Sequence, residues 1–573
     1  MPSDRIIPTP VAPSVATFTV LSGGDAVPRE YQVLSIVVHK AVNRIASATL
    51  IIRDGDAASQ TFAASSADYF VPGKEIEIRA GYQATEDKIF SGIAVSHAVR
   101  VRDQRSILEV VCKDPTFKMT LSPRNRYFKE TTESDALEDI IRSSGLTGDV
   151  EATTETKQEI IQYNCTDWDF VLTRADALGK ICLTNDGTLS IKSPSLTQPS
   201  ALSLSYGGNL LSLDLQMDAR NQFKTINSQA WSMPNSERLE AEESTFTAPN
   251  AGNLTADDLA DVHNVEPLLQ LHGGNRSEEE LQDWSKARLQ KSRLARIRGS
   301  AQFQGIASLE VGQLVELQGV GDRFNGQVYV SAVRHEINNG NWVTAAEFGL
   351  DDRWFMERFQ VTQPRAAGII PPVSGLQIGV VTQIHEDPLG EHRVQVRLPM
   401  IDTEDEGTWA RVSALDAGNE RGSFFRPEID DEVLVGFIND DPRDPIILGM
   451  LHSSTRPAPL EATEDNHEKG FVSRSGMKWL FNDEHNNILM ETPDGNKVSI
   501  SGEDQSISME DQHGNKIVLD SNGITLESMK DIVLKATGNL EMEGLAATVS
   551  AQSTGEFSAS GTLTLKGGLV QIN

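Results

Sequence analysis

Lys497-Val-Ser-Ile-Ser501, Ser506-Ile-Ser-Met-Glu510, Lys516-Ile-Val-Leu-Asp520, Ile524-Thr-Leu-Glu527, Ile532-Val-Leu-Lys535 and Leu540-Glu-Met-Glu543 follow one another with no helix-forming stretch between them. The series continues as Thr548-Val-Ser-Ala551, Glu556-Phe-Ser-Ala559, Thr562-Leu-Thr-Leu-Lys566 and Leu569-Val-Gln-Ile572. Apolar residues mostly alternate with polar ones, the period of a strand with one buried face. Part of the run steps by eight, through Ile524, Ile532 and Leu540 and through Leu526, Leu534 and Met542; a slipped register resumes at Val549, Phe557 and Leu565. A short fixed period means a solenoid whose rungs cover one another's apolar edges. A rung this short cannot wrap a core alone. Several chains wound together close it most simply, so the tail reads as a needle with Ile524, Leu526, Ile532, Leu534, Leu540 and Met542 as its core.

Working back from the needle, 573 residues divide into several domains. Charged residues make up 23% and hydrophobic ones 39%, an ordinary globular balance. The formal net charge of −31 argues against a nucleic-acid partner, which would need clustered Lys and Arg. The acidity is read as solubility. No apolar stretch approaches the roughly 18–20 residues that span a bilayer. Met1 to Pro13 lacks the basic start and apolar centre of a signal peptide, so the expectation is assembly in the cytoplasm and exit by an unusual route. Cys112, Cys165 and Cys182 are too few and scattered for a disulfide framework or a zinc site, and read as reduced core residues.

Two proline-rich hinges, Gln363-Pro-Arg-Ala-Ala-Gly-Ile-Ile-Pro-Pro372 and Ser453-Ser-Thr-Arg-Pro-Ala-Pro459, punctuate the chain. The expected divisions are a hub over 1–360, a linker over 361–374, a barrel over 375–455, a linker over 456–469 and the needle over 470–573. Within the hub, Val71-Pro-Gly-Lys-Glu-Ile-Glu-Ile78, Ile89-Phe-Ser-Gly92, Val95-Ser96 and His97 are echoed by Val311-Gly-Gln-Leu-Val-Glu-Leu317, Phe324-Asn-Gly326, Val330-Ser331 and His335. Both copies have hairpin grammar and predict two related β-barrel-like domains.

Helical spacing predicts helices over Glu133 to Ser143, Trp168 to Leu178, and from Ser277-Glu-Glu-Glu280, a capping-box pattern, to about Arg298. The basic end of the last helix (Lys286, Arg288, Lys291, Arg293, Arg296, Arg298) is read as a solvated face in preference to a phosphate site. In the middle block, Leu376 to His385, Arg393 to Leu398, Gly407 to Val412, Glu432 to Ile438 and Pro445 to Leu451 make about five strands. Their lengths suit a small closed barrel of OB type. Its loops Asp402-Thr-Glu-Asp-Glu406 and Asp440-Asp441 would repel phosphate.

Val394-Gln-Val-Arg-Leu-Pro399, Trp409-Ala-Arg-Val412, Phe425-Arg-Pro-Glu-Ile-Asp-Asp-Glu-Val-Leu-Val-Gly-Phe437 and Asn439-Asp-Asp-Pro-Arg-Asp-Pro-Ile-Ile-Leu-Gly449 closely resemble the OB-fold segment of VgrG spike proteins. These belong to type VI secretion and related contractile injection systems, and are related to myophage baseplate hub and central spike proteins. In family terms Asp441-Pro-Arg-Asp-Pro445 is the turn feeding the last barrel strand. Tyr163-Asn-Cys-Thr-Asp-Trp-Asp-Phe170 with Arg174 and Gly179, and Gly299-Ser-Ala through His335 to Glu347-Phe-Gly-Leu350, are similar to the family's hub.

The resemblance covers nearly the whole chain. It implies a mainly β protein: an α+β hub with two β-barrel-like domains, an OB-fold collar and a C-terminal intertwined trimeric β-helix. It further implies a homotrimer seated on tube and baseplate proteins. A PAAR-type tip protein would cap Leu569, Val570, Gln571, Ile572 and Asn573, effectors would ride as cargo, and the needle would contact a target membrane transiently as part of a secreted or extracellular particle. The chain ends directly after strand-like sequence, so no appended effector domain is expected.

Catalytic readings are weak. Glu461, Glu464, Asp465 and Glu468 could imitate a glycosidase carboxylate pair, but a solvated linker is the better reading. The histidines are dispersed; His385 and His392 bracket a turn, and a metal there would need a carboxylate and the right geometry. The His-x-His iron site of some phage needles is missing, His513 being the last histidine. Asp494-Gly-Asn496 and His513-Gly-Asn515 read as turns, without the spaced carboxylates of a calcium loop. Ser423 lacks the second glycine of a nucleophile elbow. No enzyme, cofactor or metal is expected. The rival readings are a carbohydrate-active β-helix tailspike, disfavoured by a tail with only Phe557 as an aromatic after Phe481, and a spike whose acidic hub serves chiefly as a cargo adaptor.

Overall fold

The computed structural model describes residues 15–102 and 105–572. The leader reading at Met1 to Pro13 and the tip position Asn573 lie outside the described residues. The chain forms two compact units, residues 1–367 and 368–573.

The first unit is organised by a 13-stranded sheet. One lobe runs Val33–Ala41, Ser47–Arg53, Arg105–Lys113, Thr85–Arg102, Glu75–Tyr82 and Ala16–Ser22, each antiparallel to the next. Its core gathers the inward residues of alternating strands, among them Ile36, Val38, Leu50, Ile78, Phe90 and Val110. The other lobe runs Leu210–Met217, Ile297–Gln304, Asn341–Phe348 and Gly326–Asn338, then Leu314–Gln318 and Leu202–Ser205, round Phe303, Val315, Val330 and Phe348. The lobes meet where Ala332 to Asn338 pairs with Ala41 to Ser35. The two barrel-like domains therefore share one sheet through this seam. The sequence echo falls on corresponding hairpins, Glu75–Tyr82 with Thr85–Arg102 and Leu314–Gln318 with Gly326–Asn338.

Helices Glu133–Ser143 and Asp167–Ala177 insert between the lobes in sequence. Thr132 and Thr166 cap them by accepting from the N–H groups of Asp135 and Asp169, and their apolar faces share a core with Leu189 and Ile191. Helix Glu278–Leu294 begins at Ser277 with both capping-box bonds formed. It stops short of Arg298 because Ile297 enters the sheet opposite Met217. Its basic residues are only in part the solvated face that was expected. Arg293 is buried and paired to Asp257 at 2.7 Å, and buried Arg296 donates to the carbonyls of Leu254 and Ala251. Lys291 pairs with Asp176 at 2.5 Å, and Arg288 donates to Asp352 O. These four side chains cross-brace the hub, while Lys286 and Arg298 are exposed as expected.

In the second unit, Gln377–Gln383, Val394–Arg397, Thr408–Val412, Pro445–Met450 and Glu432–Phe437 close into a barrel in that order. Val381, Val394, Val396, Ala410, Val433, Val435 and Ile447 fill it completely. The Asp441 carboxylate accepts from the N–H and guanidinium of Arg443, turning the chain into the last strand at Pro445. A seven-stranded antiparallel meander follows, from Glu468–Val472 to Gly523–Glu527. Beyond it, residues 528–572 carry no strand assignment. The runs expected at Ile532 to Lys535 and onward thus pair with no strand among the described residues. Their apolar side chains, among them Leu540, Met542, Val549 and Phe557, are exposed.

Candidate functional site: the apolar face of the tail

Each meander strand alternates, so register decides what stands on one face. Phe471 lies opposite Trp479, then Met490, Val498, Met509, Ile517 and Leu526 follow rung by rung. A second column on the same face runs Phe481, Ile488, Ile500, Ile507, Leu519 and Ile524. These twin columns form an unbroken apolar strip. Leu526, Ile532 and Leu534 line one groove with Trp479, Met490 and Val498, so the chain beyond the meander keeps to this face.

The opposite face is mixed, with Leu480, Leu489 and Val518 in its middle column and a charged column beside it. Lys478, Glu491, Lys497, Glu510, Lys516 and Glu527 stand in one column of alternating charge. Lys478–Glu491, Lys497–Glu510 and Lys516–Glu527 form ion pairs at 3.1–3.2 Å. Such half-exposed pairs contribute little each but fix which strand lies beside which. Turns repeat too. Thr492 and Asp511 each begin a turn closed by the N–H of Gly495 or Gly514. Both glycines have positive φ, near 90°, which explains their place in Asp494-Gly-Asn496 and His513-Gly-Asn515.

The apolar strip starts on the barrel. Phe425, just before the strand Glu432–Phe437, stacks on Phe471 with centroids 5.2 Å apart and planes 15° from parallel. Phe471 meets Trp479 at 6.0 Å, and Trp479 meets Phe481 at 5.6 Å. Arg474 adds an ion pair to Glu428 at 2.7 Å. Barrel and meander are joined by an aromatic run that leads into the strip.

Of the residues expected in the needle core, Ile524 and Leu526 stand on the strip, and Ile532 and Leu534 line its groove. All are open in a single chain: Ile524 is 72% and Leu534 62% exposed. Leu540, Met542, Leu569, Val570 and Ile572 are exposed as well. The upper half of the strip, from Phe471 to Ile517, was missed because its period-two signal gives alternation without register. Ser423 ends a short hairpin, its N–H donating to Asp416 O, and has no catalytic neighbours. His97 bridges Ser65 and the Phe70 carbonyl, while buried His335 bonds Thr344 and is held near pKa 3 by desolvation, then by Lys40. Burial pushes the Cys112 thiol up to about 12 and raises Cys182 further. Among the described residues no group of three His, Cys, Asp or Glu is arranged to hold a metal.

Comparison with known proteins follows the same order along the chain. Residues 12–339 match the Alg8 N-terminal domain, residues 377–452 the type VI secretion system/phage-baseplate injector OB domain, and residues 487–573 the phage baseplate V C-terminal trimerisation domain. Spike protein VgrG1b of the Pseudomonas aeruginosa type VI secretion system is 24% identical over 384 residues, 61% of this chain and 50% of that protein. VgrG3 of Vibrio cholerae is 36% identical over 98 residues, 16% of this chain and 9% of that protein. The chain spans half the length, or less, of these curated relatives. Among solved structures, the 43 kDa tail protein of prophage MuSo2 from Shewanella oneidensis is 13% identical with TM-score 0.47, covering 59% of this chain and 99% of that one. A chain of a Francisella PdpA–VgrG complex is similar at 9% identity and TM-score 0.40, over 91% of this chain and 88% of that one.

An injector OB barrel followed by a baseplate trimerisation domain defines a VgrG-type spike of a contractile injection system. The chain belongs to the family of the Alg8 N-terminal domain, whose match takes in more than half of its length. Its tail is accordingly one chain's share of a trimeric β-helix, and its curated relatives are spike proteins.

Proposed function

We propose that three copies of this chain form the spike joining the inner tube and baseplate of a contractile apparatus to its penetrating tip. The observation that carries this reading is the tail's apolar strip, continued by exposed side chains from Ile532 to Ile572. Burying such a side chain contributes about 1.5–3 kcal/mol, and three strips facing one axis would bury all of them at once. A needle of this kind satisfies its strand edges within the assembly and resists unfolding under load. Ile524, Leu526, Ile532, Leu534, Leu540 and Met542 form its interior in this reading. The blunt end at Leu569, Val570, Gln571 and Ile572, with Asn573 beyond the described residues, would seat a PAAR-type tip protein. The hub would rest on tube and baseplate proteins and carry effector cargo.

Divisions at 361–374 and 456–469 would separate hub, collar and needle. Assembly would occur in the cytoplasm, with release in a particle that touches a target membrane; no described helix is long and apolar enough to cross one. Light scattering on the purified chain tests the reading. The expected mass is near three times 62.6 kDa, and a stable monomer at micromolar concentration would sink it.

A further inference from the structure

The excursion between barrel strands Thr408–Val412 and Glu432–Phe437 takes no part in closing the barrel. Within it Ala417–Gly418 and Arg421–Gly422 form a short hairpin, and at its base the Ser423 N–H donates to Asp416 O at 2.8 Å. One step further along this register Leu415 stands opposite Phe424, so the two side chains leave the same face. They are 90% and 78% exposed, and neither joins the barrel core. A lone exposed leucine is ordinary, whereas a cross-strand apolar pair held out to water calls for a cover.

The segment that presents the pair is fixed. Arg426 donates to the carbonyls of Ile384, His392 and Arg393 at 2.8–2.9 Å, and Asp416 pairs with Arg421 at 2.8 Å. Arg426 also lies over the Phe424 ring at 6.0 Å, which sets these alternate residues on one side of the segment. Phe425 between them turns the other way, onto Phe471 of its own tail, and Glu428 holds Arg474. Phe471 heads the apolar strip, and from residue 487 the tail matches the baseplate trimerisation domain. The unpartnered pair is therefore continuous with a face where three chains meet. Lipid is a poor alternative cover, because polar Asn419 and Glu420 occupy the hairpin tip and the apolar pair its base.

We propose that Leu415 and Phe424 pack on the tail of a second copy of this chain. Each barrel then holds its own tail through Phe425 and its neighbour's through Phe424, a ring of contacts that closes on three-fold symmetry. Such a ring ties collar to needle against rotation under load. The contact lies outside the barrel core, which stays complete within its own chain. The inference rests on the reading of the tail strip as a face between chains.

The test puts a photo-crosslinker at the contact in the full-length protein, as Phe424→p-benzoylphenylalanine, read on a denaturing gel and by peptide mass spectrometry. The expected product is a covalent dimer near twice 62.6 kDa, joined to the meander of the second copy. The same replacement at Met400, 87% exposed on the loop that enters Thr408–Val412 from its other end, is expected to give no dimer. Equal dimer from both positions would reduce the contact to random encounter and overturn the proposal. Crosslinks confined to one chain, or made to the second copy's hub, would overturn it as well. Leu415→p-benzoylphenylalanine repeats the test from the opposite strand and decides it where the Phe424 variant does not fold. Sedimentation of the unaltered trimer with phosphatidylcholine vesicles, lost in Leu415→Ser with Phe424→Ser, would show the pair facing lipid and overturn the assignment. Light scattering on the unaltered chain separates these failures from a failure of the spike reading, which would show as loss of trimer mass.

Discussion

The barrel and the tail are built from similarly short strands within one compact unit, yet only the barrel is finished. Val381, Val394, Val433 and Ile447 are completely buried by their own chain, whereas the tail's apolar columns lie open from Phe471 to Leu526 and onward to Ile572. The difference lies in closure. Gln377–Gln383 pairs with both Val394–Arg397 and Glu432–Phe437, so the barrel has no edge, while the meander ends in two free edges and one bare face. Identical strand chemistry gives a folded domain or an assembly surface according to whether the sheet can meet itself.

The sharpest way to break this contrast is to charge the open face. Ile532→Asp or Leu534→Asp would place a carboxylate on the dry side of the needle, costing several kcal/mol per chain and three times that per trimer. The expected outcome is loss of trimer mass by light scattering and a large fall in thermal midpoint that depends on protein concentration. An unchanged midpoint would remove these residues from the interior. The barrel should respond differently. Ile447→Ala leaves a cavity in a core that its own chain completes, with an expected cost of about 2–5 kcal/mol in the unfolding of that domain. Here the trimer persists in light scattering, and the shift is independent of concentration. A concentration-dependent response would mean that the barrel also borrows its stability from its neighbours.

The same contrast explains what the sequence disclosed. Strands bounded by turns were legible in the barrel because each has a local signature, and helix Glu133–Ser143 was legible from Leu137, Ile140 and Ile141 with Thr132 ahead of it. The meander strands were equally plain, and Ile524 and Leu526, read as one face by their alternation, stand together on the apolar strip. What alternation cannot give is register, so the column from Phe471 through Trp479 to Ile517, and its origin on Phe425, came only from pairing. The basic end of helix Glu278–Leu294 misled for a related reason. Arg293 and Arg296 look like surface residues in one dimension, and only tertiary packing brings Asp257 and three backbone carbonyls to them.

The charged column offers the smallest and most discriminating perturbation. If the apolar strip faces the needle axis, Lys478, Glu491, Lys497, Glu510, Lys516 and Glu527 must face water. Lys497 stands between Glu491 and Glu510, so Lys497→Glu sets three like charges in succession along that column. Each unfavourable cross-strand pair costs about 0.2–1 kcal/mol at an exposed site. Screening over a Debye length of roughly 3 Å at about 1 M salt should remove most of that cost. The expected result is a modest fall in thermal midpoint at low salt, nearly abolished at high salt, with trimer mass retained. A fall as deep as that of Ile532→Asp and indifferent to salt would put the charged column inside and invert the faces of the needle.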